Sequence, residues 1–244
     1  MSGALRLEQV TISLAARLLI PPLELEVLPG EVLTVMGPSG SGKSTLLSFL
    51  GGTLPAMFRA SGRVWIGERE VTALAPQRRR IGILFQDDLL FPHLSVGENL
   101  AFGLEAALRP RRVRTQRIEA ALAEAGLGGF APRDPATLSG GQRARVALLR
   151  LLLAAPEALL LDEPFNKLDA SRRAEFRRFV FAHAAAAGVP VLMVTHDVAD
   201  AQAAGGVILE IVPLAHGASM VRGESQTHTA PPEQPAGATV TEGL

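Results

Sequence analysis

Short apolar runs, broken by proline, glycine and polar residues, dominate the first third of the chain. Runs of β-branched and other apolar residues that end at turn residues are typical of strands. Such runs occupy residues 4–10, 23–36, 62–66 and 81–85, and Pro21-Pro22 and Pro29-Gly30 divide the earlier ones. The pattern therefore predicts a set of short strands before residue 86.

The pattern becomes helical from Asp87 to about Ala155. Helices are predicted over residues 96–104, 111–125 and 141–154, followed by a strand at 158–161, a helix at 170–187, a strand at 189–194, a short helix and a last strand at 207–212. Strands that alternate with helices indicate an α/β fold with a mostly parallel sheet. The stretch at about 87–155 is predicted to be a helical lobe inserted into that fold.

Residues 222–244 differ in composition from the rest of the chain. They are mainly Pro, Thr, Ala, Gly, Ser and Gln, with almost no large apolar side chain. A segment of this kind cannot bury enough apolar surface to fold. We predict one folded domain over residues 1–221 and a disordered tail over residues 222–244.

The composition narrows the range of functions. With 48% hydrophobic residues among 244, the chain can fill the core of one large domain. Its formal net charge of zero gives no overall basic field that would attract nucleic acid. The absence of cysteine excludes disulfides and thiolate metal sites.

No stretch of the sequence is apolar for long enough to cross a bilayer. The most apolar region, residues 146–161, is interrupted by Arg150, Pro156 and Glu157. Near the N terminus, charged residues stand where a signal peptide would need its apolar core. We therefore expect any role at a membrane to depend on a partner protein.

Two basic runs are candidate contact surfaces. They are Arg78-Arg79-Arg80 and the group Arg111, Arg112, Arg114 and Arg117. Either run could contact a membrane protein or lipid headgroups, although a solvated helix face is the more common explanation for such a run. Neither is long enough to indicate nucleic acid.

The pattern G-x-x-x-x-G-K-[ST] lies between the apolar run Val32 to Met36 and the helical stretch Ser44 to Leu50. Glycines let the backbone turn its N–H groups toward a phosphate, and a helix N terminus adds partial positive charge. The loop that we predict to hold a nucleoside triphosphate is Gly37, Pro38, Ser39, Gly40, Ser41, Gly42, Lys43, Ser44 and Thr45.

Lys43 stands out against the composition of the chain. Of the 24 basic residues only Lys43 and Lys167 are lysines, so chance alone would have placed an arginine in the loop. A compact ammonium fits such a loop, and we predict that it contacts the β- and γ-phosphates. The Ser44 hydroxyl is predicted to bind Mg²⁺.

A pair of carboxylates follows an apolar strand. Residues 158–161 are wholly apolar, and Asp162-Glu163-Pro164 comes directly after them, where an α/β sheet presents ligands to a nucleotide. We predict that Asp162 binds Mg²⁺, directly or through water, and that Glu163 orients and deprotonates the attacking water. Such a turn is common by itself, so this prediction depends on the loop at 37–45.

A second candidate anion site precedes the helix predicted to start near residue 141. Ser139, Gly140 and Gly141 could hold a γ-phosphate through backbone N–H groups and the serine hydroxyl. The same residues also fit an ordinary N-cap with a flexible turn. The sequence leaves both interpretations open.

Six motifs together resemble, in order and spacing, the ATP-binding subunits of ABC transporters. They are Gly37 to Thr45, Gln86, Leu138 to Gln142, Leu159 to Pro164, Leu168-Asp169 and His196, and the resemblance covers roughly residues 4–212. It implies an ABC-type ATPase cassette of the P-loop NTPase class, with a mostly parallel core sheet, a small antiparallel N-terminal β subdomain and an inserted α-helical lobe. It also implies ATP and Mg²⁺ as cofactors.

The resemblance implies further site residues. Gln86 would bind Mg²⁺, sense the attacking water and link the site to the lobe, while His196 would contact the γ-phosphate and form the catalytic pair with Glu163. Asp169 would communicate across a pair of cassettes. The segment of one cassette that would complete the nucleotide site around Lys43 of the other is Leu138, Ser139, Gly140, Gly141 and Gln142.

The runs at residues 84–92 and 142–150 resemble those of bacterial importers of the thiamine, iron, sulfate and polyamine group, and most of all those of the Ynj-type importer ATPases. This implies a peripheral subunit at the cytoplasmic face of the inner membrane that powers import of a small solute. Its partners would be a second cassette, integral membrane permease subunits and, indirectly, a periplasmic solute-binding protein, with no nucleic acid. The lobe would contact the permease through apolar residues such as Phe91, Pro92 and Leu94, unless these form its own core.

Two other classes of function compete with this one. A non-transport ABC protein acting on a macromolecular partner usually carries two cassettes or a long coiled-coil insert, and this chain has neither. A nucleotide-gated binding module without turnover is disfavoured by the presence of both Glu163 and His196.

The chain departs from the family pattern at two places. Asn166-Lys167 stands where the family usually has a pair of small residues, so the contact across the pair of cassettes is expected to differ in detail. The N-terminal aromatic residue that stacks on adenine is absent, and the ungapped match places that role at Leu14, with Arg17 as an alternative platform.

Overall fold

Two β-sheets organise the fold. The computed structural model describes residues 3–104, 108, 110–166, 168, 170–213 and 219–224. In chain order the elements are β1 Leu5–Leu14, β2 Arg17–Val27, β3 Val32–Met36, α1 Lys43–Gly51, β4 Phe58–Ile66, β5 Arg69–Glu70, α2 Pro76–Arg79, β6 Ile81–Leu84, α3 Val96–Gly103, α4 Arg111–Glu124, α5 Gly140–Leu153, β7 Ala158–Asp162, α6 Ala170–Ala187, β8 Val191–Thr195, α7 Val198–Ala204, β9 Ile208–Pro213 and β10 Ser219–Glu224. A 3₁₀ turn, Pro135–Thr137, lies between α4 and α5.

The first sheet is antiparallel, in the order β2-β1-β4-β5. Strand β2 continues through Pro21-Pro22, where the sequence predicted a break. The strand tolerates both prolines because it lies at the edge of this sheet and they fall at an irregularity of the β1 pairing, between the pairs Ile20–Ile12 and Leu23–Val10.

The second sheet is the core, in the order β10-β9-β3-β8-β7-β6, and only β10 is antiparallel to its neighbour. Strands β7 and β8 are buried on both faces, which explains their nearly continuous apolar sequence. The register pairs Met36 with Thr195 and Asp162 with Val194, so β3, β7 and β8 end at one edge of the sheet. The α/β fold class predicted from the sequence is confirmed.

Helices cover both faces of the core sheet. Between the two sheets, Leu46 and Leu50 of α1 pack in a hydrophobic cluster with Val35 of β3. On the opposite face, Phe176 and Val180 of α6 pack against the core strands in a second cluster. These two residues are one helical turn apart, so they share the buried face of α6.

Helices α3, α4 and α5 lie between β6 and β7 in the sequence, within the stretch predicted as a helical lobe. They share a third hydrophobic cluster that includes Leu100, Ile118 and Leu149. Helix α5 also contributes Leu148 to the cluster on the core sheet. Because α5 belongs to both clusters, it joins the lobe to the sheet.

The end of the described chain differs from the prediction. Strand β10 pairs with β9 and includes residues 222–224, which the sequence analysis assigned to the tail. The remainder of the predicted tail, residues 225–244, lies outside the described residues. Among the described helices, none is long and apolar enough to cross a membrane.

Candidate functional site

The loop between β3 and α1 approaches its surroundings more closely than a side chain would allow. Gly37 has φ +153°, and a Cβ there would lie 2.7 Å from the Ile211 carbonyl oxygen and 2.9 Å from Ser41 Oγ. Gly40 and Gly42 also have positive φ, at +77° and +98°. The glycines of the motif are therefore required by the shape of this loop.

The N terminus of α1 is open to an anion. Its N-cap is Gly42, no side chain caps it, and its first turn contains no acidic residue. The unpaired N–H groups and the helix dipole of such a terminus favour a phosphate. Pro38, Ser39 and Gly40 are exposed beside it.

Lys43 is the first residue of α1, and its side chain is buried with 5% of its surface exposed. The ammonium donates to the carbonyl oxygens of Gly37, at 2.7 Å, and Pro38, at 2.9 Å. Burial lowers the pKa of Lys43, and the nearby charges of Glu163 and Asp162 oppose this shift. An ammonium has three donors, and these two bonds use two of them.

Ser44 meets Asp162, which ends β7. The Ser44 hydroxyl donates to Asp162 Oδ1 over 3.1 Å. Burial raises the pKa of Asp162, the charge of Glu163 adds to the rise, and the Ser44 hydrogen bond and Lys43 oppose it. Two oxygen groups in contact suit Mg²⁺, which commonly binds one or two protein groups and completes its shell with phosphate and water. Among the described residues, no group of three or more His, Cys, Asp or Glu side chains is placed to hold a metal.

Glu163 and His196 form a contact pair at the same edge. Glu163 has φ +46°, and its backbone N–H donates to the Val194 carbonyl oxygen over 3.0 Å. Its Oε2 lies 3.0 Å from Nδ1 of His196, which follows β8 and is 54% exposed. The Asn166 amide contacts the same carboxylate oxygen. The structure thus brings Lys43, Ser44, Asp162, Glu163 and His196 together.

Gln86 lies beyond the end of β6, which neighbours β7 in the core sheet. Because Leu84 pairs with Leu161, Gln86 is at the same edge of the sheet as Asp162. It is exposed and lines a cavity of about 370 Å³ with residues of α5, including Gly140 and Arg143. This position is next to both the carboxylate edge and the lobe.

The segment Leu138 to Gln142 is separate from the phosphate loop of this chain. Ser139 caps α5 in a capping box, accepting from Gln142 N–H at 3.3 Å, while Gln142 Oε1 accepts from Ser139 N–H at 2.9 Å. Among the described residues, no hydrogen bond or ion pair joins this segment to residues 37–45. Asp169, the remaining predicted site residue, lies outside the described part of the chain.

A family model described as ABC transporter matches residues 20–166. The chain belongs to the ABC transporter family. The ATP-binding and ATPase activity predicted from the sequence follow from this membership.

Individual relatives agree with the family match. The uncharacterised ABC transporter ATP-binding protein YnjD of Escherichia coli strain K12 is 47% identical over 201 residues, which cover 82% of this chain and 92% of YnjD. The sulfate/thiosulfate import ATP-binding protein CysA of Nocardia farcinica is 46% identical over 72% of this chain, and the match spans 53% of CysA. The solved dimeric structure of the ATP-binding cassette MJ0796, bound to ADP and Pi in a post-hydrolysis state, has a TM-score of 0.74 and 30% identity, over 91% of this chain and 98% of that one.

Several residues that organise this ABC ATPase were missed by the sequence analysis. Arg143 of α5 donates to Asp88 Oδ2 at 2.9 Å, and Arg150, about two turns further along the same helix, donates to the Leu89 carbonyl oxygen at 2.9 Å. These contacts fasten the segment after Gln86 to the helix capped by Ser139. The partners are more than fifty residues apart, so no local pattern could have indicated them.

The buried Asn99 was also missed. Its amide donates to the carbonyl oxygens of Phe91, Leu94 and Ser95, and its Oδ1 accepts from Phe91 N–H. Asn99 therefore fixes the loop that leads into α3. An asparagine in a predicted helix gave no sign of this role.

An apolar groove opens on the lobe side of this ABC ATPase. It has a volume of about 530 Å³ and is lined by Phe91 together with Phe85, Leu89 and Phe102, which are 45%, 55% and 71% exposed. Phe91 packs edge to face on Phe102, with ring centroids 4.8 Å apart. Of the three candidate contacts predicted from the sequence, Phe91 lines the groove, and Phe85, Leu89 and Phe102 were not anticipated.

Proposed function

We propose that this ABC ATPase hydrolyses ATP at the edge formed by the phosphate loop, Asp162, Glu163 and His196, and that the turnover powers import of a small solute. The observation that carries the proposal is the Glu163–His196 contact of 3.0 Å beside the Ser44–Asp162 contact. A carboxylate held next to a phosphate cradle has the chemistry of a general base for water.

Each residue of this edge has a proposed role. The loop N–H groups, Thr45 and the Lys43 ammonium would bind the phosphates. Ser44, Asp162 and Gln86 would hold Mg²⁺, which would supply Lewis-acid stabilisation of the phosphate charge. Glu163 takes a proton from water as the water oxygen bonds to the γ-phosphorus. The bond from that phosphorus to the bridging oxygen breaks, and ADP leaves with the electron pair. His196 holds Glu163 and contacts the γ-phosphate.

We further propose that two copies of the chain form one working unit. The capped N terminus of α5, with Leu138 to Gln142, makes no described contact with its own phosphate loop, and it would meet the loop of the second copy. Asp169 would carry the signal between copies. The dimeric state of the relative MJ0796 supports this arrangement.

The apolar groove of Phe85, Leu89 and Phe102 is the proposed contact with a membrane permease. Exposed aromatic and aliphatic side chains around a groove of this size suit an apolar segment of a partner. Import is favoured because CysA, which shares 46% identity, is a sulfate/thiosulfate import protein. The chain would then work at the cytoplasmic face of the inner membrane, with a periplasmic solute-binding protein as an indirect partner.

The variant Glu163→Gln tests the proposed catalytic role. It should bind ATP and Mg²⁺ and form a stable dimer, because the phosphate contacts are intact, while turnover falls about 10²- to 10⁴-fold. Turnover is measured by phosphate release, and association by size-exclusion chromatography with ATP and Mg²⁺. Glu124→Gln, an exposed carboxylate at the end of α4, is the matched control. Normal turnover or a persistent monomer in Glu163→Gln would refute the assignment.

The docking proposal is tested separately by cysteine crosslinking, because the chain contains no cysteine of its own. Phe102→Cys, on the groove, should crosslink to a copurifying permease, whereas Thr11→Cys, on the antiparallel sheet, should not. A permease that crosslinks only through β1 or β2 would contradict the proposal.

A further inference from the structure

The turn after Glu163 brings an amide donor to its carboxylate. Asn166 lies three residues later, and its backbone N–H donates to the Glu163 carbonyl oxygen over 3.4 Å. Its side-chain amide donates to Glu163 Oε2. Both residues are half-buried, so this contact is shielded in part from water.

Two nitrogen groups thus meet one oxygen of the carboxylate. Glu163 Oε2 is contacted by the Asn166 amide and lies 3.0 Å from His196 Nδ1. Within the described residues, no hydrogen bond or ion pair reaches Oε1. The carboxylate therefore has one anchored oxygen and one oxygen available to accept a proton.

Arg173 of α6 joins the two segments that carry Asn166 and His196. Nη1 of Arg173 donates to Asp197 Oδ2 over 2.6 Å, next to His196, and Nη2 of the same guanidinium donates to the Leu168 carbonyl oxygen over 3.5 Å, close to Asn166. Asp197 in turn caps α7 through Oδ1. One arginine therefore ties the segment that carries Asn166 to the segment that carries His196.

We propose that Asn166 is a positioning residue of the ATPase reaction, which anchors Oε2 of Glu163 so that Oε1 faces the attacking water. The inference rests on the proposed role of Glu163 as general base. A neutral amide suits this task, because it donates to the carboxylate without competing as a base.

The first test compares Asn166→Ala with the isosteric Asn166→Asp. Losing the anchor should lower kcat roughly ten- to hundredfold, the scale of a misplaced catalytic group. The KM for ATP should change by less than twofold, because no hydrogen bond among the described residues joins Asn166 to the phosphate loop. Asn166→Asp should lose at least as much, because it replaces the donor with a charge that repels Glu163. If Asn166→Ala does not fold, Asn166→Asp, which keeps the shape, supplies the measurement.

The second test places Asn166→Ala in the Glu163→Gln background and measures single-turnover hydrolysis. If Asn166 acts through Glu163, the second substitution should cause no further loss. An equal loss in both backgrounds would indicate a merely structural role and overturn the inference, as would a kcat in Asn166→Ala equal to or above that of the parent. Normal turnover in Glu163→Gln alone would instead overturn the proposed function, so the two failures are distinguishable.

Discussion

Two buried cations of this ABC ATPase show how a structural charge differs from a charge in the proposed binding site. Arg79, at the end of α2, and Lys43, at the start of α1, each expose 5% of their surface. Burial lowers the pKa of both. Their partners, however, are different.

The Arg79 guanidinium is enclosed by backbone carbonyl oxygens. It donates to Leu74 at 2.9 Å, Phe49 at 2.8 Å, Leu50 at 2.7 Å and Thr72 at 2.5 Å. Four of its five N–H donors are therefore satisfied inside the chain. Gly52 permits this approach, since a Cβ there would lie 2.6 Å from Arg79 Nε.

Lys43 instead lies near two carboxylates, Glu163 and Asp162, that have proposed roles in the reaction. It donates to two carbonyl oxygens of its own loop, and Glu163 and Asp162 lie close enough to affect its pKa. Burial alone therefore does not identify a functional charge. A structural charge is satisfied by its surroundings, whereas the charges of a binding site keep capacity for a ligand.

Replacing Arg79 should have the largest effect on stability. Arg79→Leu leaves four carbonyl oxygens without their donor, and we expect the free energy of unfolding to fall by about 3–5 kcal/mol. The neighbouring exposed Arg78→Leu should change it by less than about 0.5 kcal/mol. Urea unfolding of both variants measures the difference. Equal stabilities would show that the hydrogen bonds of Arg79 do not stabilise the fold.

Replacing Lys43 should have the opposite profile. Lys43→Met keeps the length of the side chain, and we expect ATP affinity to fall about ten- to hundredfold, since a hydrogen bond to a charged group contributes about 1.5–3 kcal/mol. The free energy of unfolding should change by less than about 1 kcal/mol, because removing the charge also removes its desolvation. Calorimetric ATP titration and urea unfolding check the two halves. A loss of stability like that of Arg79→Leu would contradict the distinction.

Asp162 and Asp200 extend the comparison to acids, because burial raises the pKa of both. A raised folded-state pKa means that the folded chain binds more protons than the unfolded chain between about pH 3.9 and the raised value, so stability falls as pH rises through that window. Asp162→Asn should therefore be more stable than the parent at pH 7. This advantage should vanish below the window.

Asp200→Asn is the matched control for Asp162→Asn. The Asp200 carboxylate pairs with the Arg177 guanidinium at 3.0 Å, and its side chain is 1% exposed. Losing this partner should cost about 1–3 kcal/mol at pH 7. Thermal unfolding from pH 4 to pH 7 measures both variants, and a destabilised Asp162→Asn would show that Asp162 is a structural acid.

The smallest expected effect concerns the nucleobase. Leu14 is half-buried at the end of β1, opposite Arg17 on one side and Phe58 on the other, and offers no aromatic face. Leu14→Tyr should tighten ATP binding about three- to tenfold, since an aromatic stack contributes roughly 0.5–1.5 kcal/mol. The parent should hydrolyse GTP nearly as well as ATP. A strong preference for ATP, with no change in Leu14→Tyr or Arg17→Ala, would place base recognition elsewhere, with Phe58 as the next candidate.

Local pattern accounts for the parts of the molecule that were predicted. The phosphate loop is contiguous and needs only a strand before it and a helix after it, so residues 37–45 could be recognised without knowledge of the fold. The burial of Arg79 could not be recognised, because Arg78, Arg79 and Arg80 look alike in sequence. The expectation that the whole run is solvated was wrong for Arg79. Its burial depends on carbonyl groups of α1 and of the chain before α2.

The sequence by itself determined the family, the order of strand, loop and helix, and the residue types that we propose bind phosphate and metal. Only the tertiary structure decided which groups meet: Ser44 contacts Asp162, 118 residues away, and Glu163 contacts His196. The physical reason is that parallel strands β3, β7 and β8 end at one edge of the sheet, which gathers distant residues. The same packing sets the desolvation of each charge, because desolvation depends on what surrounds a group in space and not on its neighbours in sequence.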